Sequence, residues 1–416
     1  MKDQQAFKRG ALGTAPVGLV SLAGRIVAGG IALLLIAAAF GGRAWAIPGG
    51  KPPPPATILT PATGLGNGYI FVTPTSYSGK YANGPEILDT QGNVVWFNAI
   101  PNNQTAADFR TQRYYGKQVL TWWQGTGLGG ASPCGTDYIY DNHFNPIATV
   151  QAGNGLCADG HEFLISPWNT ALITIYTTAT ADLTSIGGPP NQTVVNGIVQ
   201  EIDIPTGKVL FQWNSADHVP YTQSQQPLPA SAKQPWEWFH LNAVTVDTDG
   251  NLLIDARHTW ATYKVDHANG NVIWTLGGKA SSFTLAAAPG QVLDQANEIF
   301  AFQHDPQPLG DGLYSFFDNE SSGASTLLPY SRAVVVQLDE TAHVATLVAS
   351  YNQPEGLVAP SQGNAQATDE GNLFVGWGIL PYFSAFDPAG NLIFNAQFPP
   401  GVYSYRAYFL PFKPGQ

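Results

Sequence analysis

The chain has 416 residues, of which 11% are charged and 12% aromatic, with 45 Gly, 32 Pro, 11 Trp and a single Met. Charged residues make up about 25% of an ordinary globular protein, and a chain poor in Lys, Glu and Met favours strands and turns over helices. This composition excludes helical bundles, coiled coils and an intrinsically disordered chain. The net charge of −11 and the lack of Lys/Arg runs exclude a nucleic-acid binder, which needs a basic surface.

The N-terminus has the pattern of an export signal. Basic residues precede an uncharged apolar run over residues 26–42, and an Ala-Trp-Ala sequence ends at Ala46. This order is typical of a signal peptide, so residues 1–46 are predicted to be cleaved after Ala46. The alternative is an uncleaved anchor, because the run reaches the lower limit of about 17 residues for spanning a bilayer. Either way the remainder is exported, and only an uncleaved segment would contact a membrane.

The leader is followed by a Pro-rich stretch, residues 47–58, which is predicted to be a stiff extended linker. We expect one folded domain over residues 59–416. Its two cysteines, Cys134 and Cys157, lie in Gly-rich sequence. In an exported protein they are predicted to form a disulfide, with two inert thiols as the alternative.

One pattern recurs six times along the domain: an apolar strand, a short turn opened by Asp, and a second apolar strand. The turn-opening residues are Asp89, Asp141, Asp203, Asp266, Asp339 and Asp387. The intervals between them contain a second hairpin, as over residues 240–258 and 364–378. Two hairpins make a four-stranded antiparallel sheet, the blade of a β-propeller. The sequence therefore predicts an all-β fold with six blades. A jelly roll or two β-sandwiches are the alternatives, but neither predicts six equivalent turns.

Three of the eight histidines fall at one position of this repeat. His161, His240 and His304 each precede a hairpin turn by a similar distance, in the third, fourth and fifth copies. Because the inner strands of a propeller begin at its central channel, we expect these imidazoles to meet at the channel mouth.

A guanidinium is predicted beside this cluster. With Thr248 and Asp249 as the central turn residues, His240 and Arg257 become neighbours across two strands. His258 should then point to the opposite face, into blade packing. Three imidazoles and a guanidinium are suited to binding an anion.

Less specific interpretations stay open. A histidine at a strand start is often only a hydrogen-bonded structural residue, and three equivalent ones could be remnants of the repeat. Three converging histidines could also bind zinc. A neighbouring Arg257 argues against zinc, because its charge would repel the metal, and we expect no metal or other cofactor.

The motifs GHEF at residues 160–163, FHLNAVTVDTDGNLLIDARH at 239–258, FQHD at 302–305 and FDN at 317–319 resemble the arylsulfotransferases. The similarity is closest to the short branch of that family and covers roughly residues 60–410. It implies a six-bladed propeller that moves a sulfuryl group from an aryl sulfate ester to a phenolic acceptor, without a nucleotide donor. It also implies a sulfohistidine intermediate, with His304 as the nucleophile and His161, His240 and Arg257 in support.

Residues around these motifs are candidates for binding the substrate. Trp238, Phe239 and Phe302 could stack on an aryl ring or could pack between blades. Asn319 is predicted to line the pocket. Two other functions stay open: a non-catalytic propeller that binds a ligand or protein, and a metal-dependent hydrolase that uses the three histidines.

Overall fold

The computed structural model describes residues 50–128 and 133–414, and these residues form 26 β-strands with very little helix. The all-β class is confirmed. The predicted leader, residues 1–46, lies outside the described residues. Within the described part of the chain, no helix has the length and apolarity that a membrane span requires.

The strands of the first half are β1 Thr57–Thr60, β2 Tyr69–Ser76, β3 Glu86–Leu88, β4 Val94–Phe97, β5 Thr105–Tyr114, β6 Lys117–Thr126, β7 Cys134–Tyr140, β8 Pro146–Val150, β9 Ala158–Ile165, β10 Ala171–Ala181, β11 Gln192–Asp203 and β12 Lys208–Asn214. A helical turn, α1, follows at Ser215–His218, and short 3-10 turns cover Thr184–Ile186 and Tyr221–Gln223. The strands of the second half are β13 Leu241–Val246, β14 Leu252–Ala256, β15 Ala261–Val265, β16 Val272–Leu276, β17 Thr284–Ala287, β18 His304–Gly310, β19 Leu313–Asp318, β20 Arg332–Asp339, β21 Val344–Asn352, β22 Asn364–Ala367, β23 Leu373–Gly376, β24 Tyr382–Phe386, β25 Leu392–Gln397 and β26 Val402–Leu410.

The six Asp-opened hairpins are all present. They are β3–β4, β7–β8, β11–β12, β15–β16, β20–β21 and β24–β25. In the first, Asp89 Oδ1 accepts the backbone N–H groups of Gln91 and Asn93 at 2.9 and 2.8 Å. The carboxylate thereby replaces a backbone turn partner, which is why Asp opens these turns. Equivalent side-chain bonds form in the other five hairpins.

The number of sheets differs from the prediction. The described strands form five sheets: four contain four or five strands, the size of one blade, and the fifth contains eight. The six separate blades predicted from the repeat are therefore not found. The large sheet arises because β7 and β9 pair at Gly135 and Ala158, next to the disulfide between Cys134 and Cys157, which confirms the predicted pairing. A side chain on Gly135 would meet the ring of Trp123 at 2.2 Å, so only glycine permits this approach.

The sheets are arranged like a propeller around a ring of innermost strands. β5, β9, β13, β18, β22 and β26 each contact the next strand in this order, and β26 contacts β5. The C-terminal β26 also pairs with β2, which closes the ring. Six apolar clusters fill the spaces between consecutive groups of strands. The first strand, β1, pairs with β25 from Thr57, two residues before the predicted domain boundary.

Candidate active site

Three histidines lie at the starts of neighbouring innermost strands. His161 is in β9, His240 directly precedes β13, and His304 is the first residue of β18. The ring centroids of His161 and His240 are 5.2 Å apart, and both imidazoles lie near enough to lower the pKa of His304. The structure thus brings the three residues together at one mouth of the ring of inner strands.

Arg257 lies beside His240 across β13 and β14. The backbone N–H of Arg257 donates to the His240 carbonyl oxygen at 3.0 Å, so the two residues are neighbours as predicted. The strand register that brings them together differs from the predicted one. Near the turn the strands pair one residue later than predicted, as at Val246↔Leu252, and a bulge after Leu241 restores the predicted register. His240 itself has a φ of +54°, an uncommon conformation for a residue with a side chain.

The hydrogen bonds of His304 define which nitrogen carries its proton. Nδ1 lies 2.6 Å from Asn319 Oδ1 and 3.1 Å from the carbonyl oxygen of Phe302. Both partners are acceptors, so Nδ1 is protonated and Nε2 has a lone pair, which accepts the N–H of Gln362 at 3.2 Å. Burial lowers the pKa of His304 well below its ordinary value, and the charge of Arg257 lowers it further. At neutral pH His304 is an uncharged imidazole whose Nε2 can act as a nucleophile.

Asn319 is a positioning residue. It is fully buried, and its Nδ2 donates to the carbonyl oxygens of Ala359 and Gln362 at 2.8 and 2.9 Å. With Oδ1 committed to His304, every hydrogen-bonding atom of the amide is used inside the protein. Asn319 contacts His304 directly, and its place in the lining of a substrate pocket stays a prediction.

Residues 359–363, here called the covering segment, lie over the site. Arg257 Nη2 donates to the Pro360 carbonyl oxygen at 2.7 Å, and the Gln362 N–H occupies the lone pair of His304 Nε2. As a result the His304 residue is only 1% exposed and Arg257 only 7%. A substrate that reaches His304 Nε2 must replace the Gln362 N–H, whereas Arg257 Nε has no hydrogen-bond partner among the described residues.

Each supporting histidine is held by a carboxylate. Asp159 Oδ2 accepts a hydrogen bond from His161 Nδ1, and Glu237 Oε1 accepts one from His240 Nδ1 at 2.8 Å. Since an ionised carboxylate only accepts, both Nδ1 atoms carry a proton and both Nε2 atoms are left to face other groups. Neither acid is predicted from the sequence, although each lies within three residues of its histidine.

His258 does not point away from the site. Its Nε2 accepts a hydrogen bond from Arg257 Nη1 at 2.9 Å, its Nδ1 donates to the Glu237 carbonyl oxygen, and its ring centroid is 4.7 Å from that of His240. The prediction assumed strand alternation through residue 258. Because β14 ends at Ala256, the next residues lie in a turn, and alternation no longer sets where their side chains point.

Comparison with known proteins decides the family. The sequence model described as Arylsulfotransferase (ASST) matches residues 110–399, well over half of the chain. The chain belongs to the arylsulfotransferase family. Membership supports a sulfotransferase-type enzyme and, at the same general level, an aryl sulfate donor and a phenolic acceptor. No curated protein matches the chain.

Solved structures similar to this arylsulfotransferase-family chain include a protein of unknown function from Bacteroides caccae, with 11% identity, a TM-score of 0.46, and coverage of 83% of this chain and 99% of that one. The periplasmic gluconolactonase PpgL of Pseudomonas aeruginosa has 12% identity, a TM-score of 0.42, and the same two coverages. Virginiamycin B lyase from Staphylococcus aureus has 9% identity, a TM-score of 0.37, and coverage of 82% of this chain and 83% of that one.

The aromatic candidates of this arylsulfotransferase-family chain differ in position. Trp238 and Phe239 are completely buried in an apolar cluster between sheets, and Trp238 Nε1 donates to Asn196 Oδ1 at 3.0 Å. They pack the core, which corrects their predicted role in contacting substrate. Phe302 does adjoin the site, because the Arg257 guanidinium lies 5.1 Å from the centre of its ring.

Two tyrosines that are not predicted from the sequence also border the histidines. The rings of Tyr176 and Tyr405 are each 5.5 Å from the ring of His161. Tyr405 is buried, and its hydroxyl has no hydrogen-bond partner among the described residues. Burial raises the pKa of Tyr405 well above its ordinary value, so this hydroxyl stays protonated and is available as a donor.

Among the described residues, the group with the spacing of metal ligands is Glu237, His240 and His258, whose ligand atoms lie within 4.8 Å of one another. It differs from the set of three histidines that the metal-binding alternative predicted. The group adjoins Arg257, whose Nη1 donates to His258.

Proposed function

We propose that this chain is an exported arylsulfotransferase that moves a sulfuryl group from an aryl sulfate ester to a phenolic acceptor through a sulfohistidine at His304. One observation carries the proposal. A buried imidazole has its Nδ1–H on the neutral amide of Asn319 and its Nε2 lone pair on the Gln362 N–H, while burial and the charge of Arg257 lower its pKa. Burial and the charge of Arg257 keep the imidazole uncharged, whereas a carboxylate in place of the Asn319 amide would favour the imidazolium and remove the nucleophile.

In the first half of the reaction, the His304 Nε2 lone pair attacks sulfur and the bond from sulfur to the aryl oxygen breaks. The departing phenolate takes a proton from the imidazolium form of His161, because burial lowers the pKa of His240 well below its ordinary value and keeps that ring neutral. Negative charge on the sulfuryl oxygens is held by Arg257, and one such preorganised donor contributes about 3–4 kcal/mol to transition-state stabilisation. The sulfuryl group replaces the Gln362 N–H on Nε2, and that N–H is then free to donate to a sulfuryl oxygen.

In the second half, the acceptor phenol gives its proton to the same supporting imidazole and its oxygen attacks sulfur. The bond from sulfur to Nε2 breaks and His304 returns to its neutral form. Asp159 supports this proton exchange, because its carboxylate accepts the Nδ1–H of His161 and orients the ring. Glu237 orients the His240 ring in the same way, but burial lowers the pKa of His240 well below its ordinary value. The amide on His304 and the carboxylate on His161 thus suit opposite tasks.

The six-bladed architecture and the exported location are parts of the same proposal. β5–β8 and β9–β12 each pair as a four-stranded antiparallel unit, share a single residue pair, and enclose an apolar cluster. We count them as two blades, which gives six around the ring. The signal-like leader and the disulfide both favour an oxidising compartment.

The proposed function is tested with the purified full-length chain and a chromogenic aryl sulfate. We expect release of the phenol, faster when a second phenol is present, and sulfation of that second phenol. A radiolabelled donor without acceptor should leave acid-labile label on the peptide that contains His304. His304→Ala should abolish both release and labelling, whereas His143→Ala, an exposed histidine in the β7–β8 turn, should change neither.

Full activity in His304→Ala would remove the nucleophile assignment. A folded wild-type protein that turns over no aryl sulfate, yet binds sulfate in a manner that depends on Arg257, would instead identify a non-catalytic binding propeller.

A further inference from the structure

A carboxylate and two imidazoles meet beside Arg257 in an arrangement that the proposed sulfuryl transfer does not require. One atom each from Glu237, His240 and His258 lies within 4.8 Å of the others, and His258 is buried. Two His and one Glu form a recurrent protein ligand set for zinc, with further coordination positions left to water or substrate. The chemistry of these donors therefore fits a borderline divalent cation.

The hydrogen bonds show which nitrogens could bind such a cation. His258 Nδ1 must carry a proton, because its partner is the Glu237 carbonyl oxygen, so the lone pair of His258 is on Nε2. That lone pair accepts Arg257 Nη1–H at 2.9 Å. His240 Nδ1 lies 2.8 Å from Glu237 Oε1, so a cation held by both residues would bind His240 through Nδ1, in place of the Nδ1 proton. The hydrogen bond from His258 Nδ1 to the Glu237 carbonyl oxygen is of the kind that commonly orients a metal-bound histidine ring.

We propose that Glu237, His240 and His258 form a binding site for a divalent transition-metal cation such as Zn²⁺ or Co²⁺, and that the guanidinium of Arg257 occupies the cation's position and opposes its binding. This inference does not depend on the proposed function, because it concerns metal binding in the absence of any aryl sulfate.

Two features make Arg257 the competitor. The Arg257 Nη1–H already donates a hydrogen bond to the lone pair of His258 Nε2, which a metal ion would need. The Arg257 guanidinium is charged at pH 7 and repels a dication a few ångströms away. Its other contacts, to the carbonyl oxygens of Pro360 and Ser321, hold the guanidinium in place. Replacing this one side chain should convert an anion-binding site into a metal-binding site.

The experiment compares metal binding by wild type and Arg257→Met, because methionine preserves an unbranched apolar stem against Phe302. Chelator-free protein is titrated with Zn²⁺ by calorimetry and with Co²⁺ by visible absorption, which reports nitrogen and oxygen coordination. We expect weak binding by the wild type and binding at least about tenfold tighter by Arg257→Met, as the loss of charge repulsion at this distance requires. Circular dichroism checks that each variant is folded.

Further variants locate the site. In the Arg257→Met background, His258→Ala, or His240→Ala if the first variant does not fold, should abolish the tight binding, and Glu237→Gln should weaken it. His143→Ala in the same background is the matched control and should bind as tightly as Arg257→Met alone. The proposal is overturned if Arg257→Met binds no tighter than wild type, or if the tight binding survives loss of a proposed histidine ligand.

Discussion

Asn319 Oδ1 lies 2.6 Å from His304 Nδ1, and the Nδ2 of the same amide holds the covering segment through the carbonyl oxygens of Ala359 and Gln362. One side chain therefore sets both the proton position of the proposed nucleophile and the placement of the backbone above it. This double role predicts that changes at Asn319 alter the pH dependence of transfer as well as its rate.

Asn319→Asp should move the acid limb of kcat/KM to higher pH. In the wild type, burial lowers the pKa of His304 below the ordinary histidine value of about 6.5. Activity should therefore persist at pH values below that ordinary pKa. A carboxylate against Nδ1–H favours the imidazolium and raises this pKa, which removes the nucleophile at a higher pH.

The measurement is a pH–rate profile with an aryl sulfate. Asn67→Asp, which adds the same charge at an exposed position, should retain the wild-type profile. An unchanged acid limb in Asn319→Asp would show that His304 does not limit the acid side.

Local patterns in the sequence predict much of this fold. The six turn-opening aspartates act within their own hairpins, so their positions predict the β-meanders directly. The merging of two units into one sheet depends on a contact between Gly135 and Ala158 across a long loop, which periodicity does not reveal.

In the site, too, local patterns predict some residues and contacts between distant parts of the chain place the others. His161, His240 and His304 follow from the repeat, whereas the covering segment approaches His304 from 58 residues away. His258 differs from its prediction because β14 ends before it.

Arg257→Lys should lower kcat/KM by about 10²–10³-fold, the usual effect of removing a preorganised donor to a developing oxyanion. Lysine retains the charge but loses the planar fork, whose Nη1 and Nη2 bond to His258 and Pro360. Steady-state kinetics with donor and acceptor varied separately measure the effect. Arg113→Lys, at an exposed arginine, is the matched control and should leave both constants unchanged. Equal kinetics for the two variants would remove Arg257 from the transition state.

Loss of the disulfide should destabilise the strand that carries His161. Cys157 directly precedes β9, and its bond to Cys134 supports the Gly135↔Ala158 pair. Replacing both cysteines by serine should lower the free energy of unfolding by about 3 kcal/mol in the chain-entropy model. Denaturant unfolding measures this, and reductant should destabilise the wild type but not the variant. Equal unfolding free energies for the two proteins would contradict the prediction.

Glu86→Gln should stabilise the protein more strongly as pH rises. Glu86 is fully buried in β3, neither carboxylate oxygen has a partner among the described residues, and burial raises its pKa well above the ordinary value. The folded state therefore holds a proton that the unfolded state releases above about pH 4.3. As pH rises from there to the pKa of Glu86 in the folded protein, this group lowers the wild-type free energy of unfolding by up to about 1.4 kcal/mol per pH unit. A neutral glutamine does not titrate. Urea unfolding at pH 5, 6, 7 and 8 should show a difference between variant and wild type that grows with pH, and a difference independent of pH would mean that Glu86 is ionised in the folded protein.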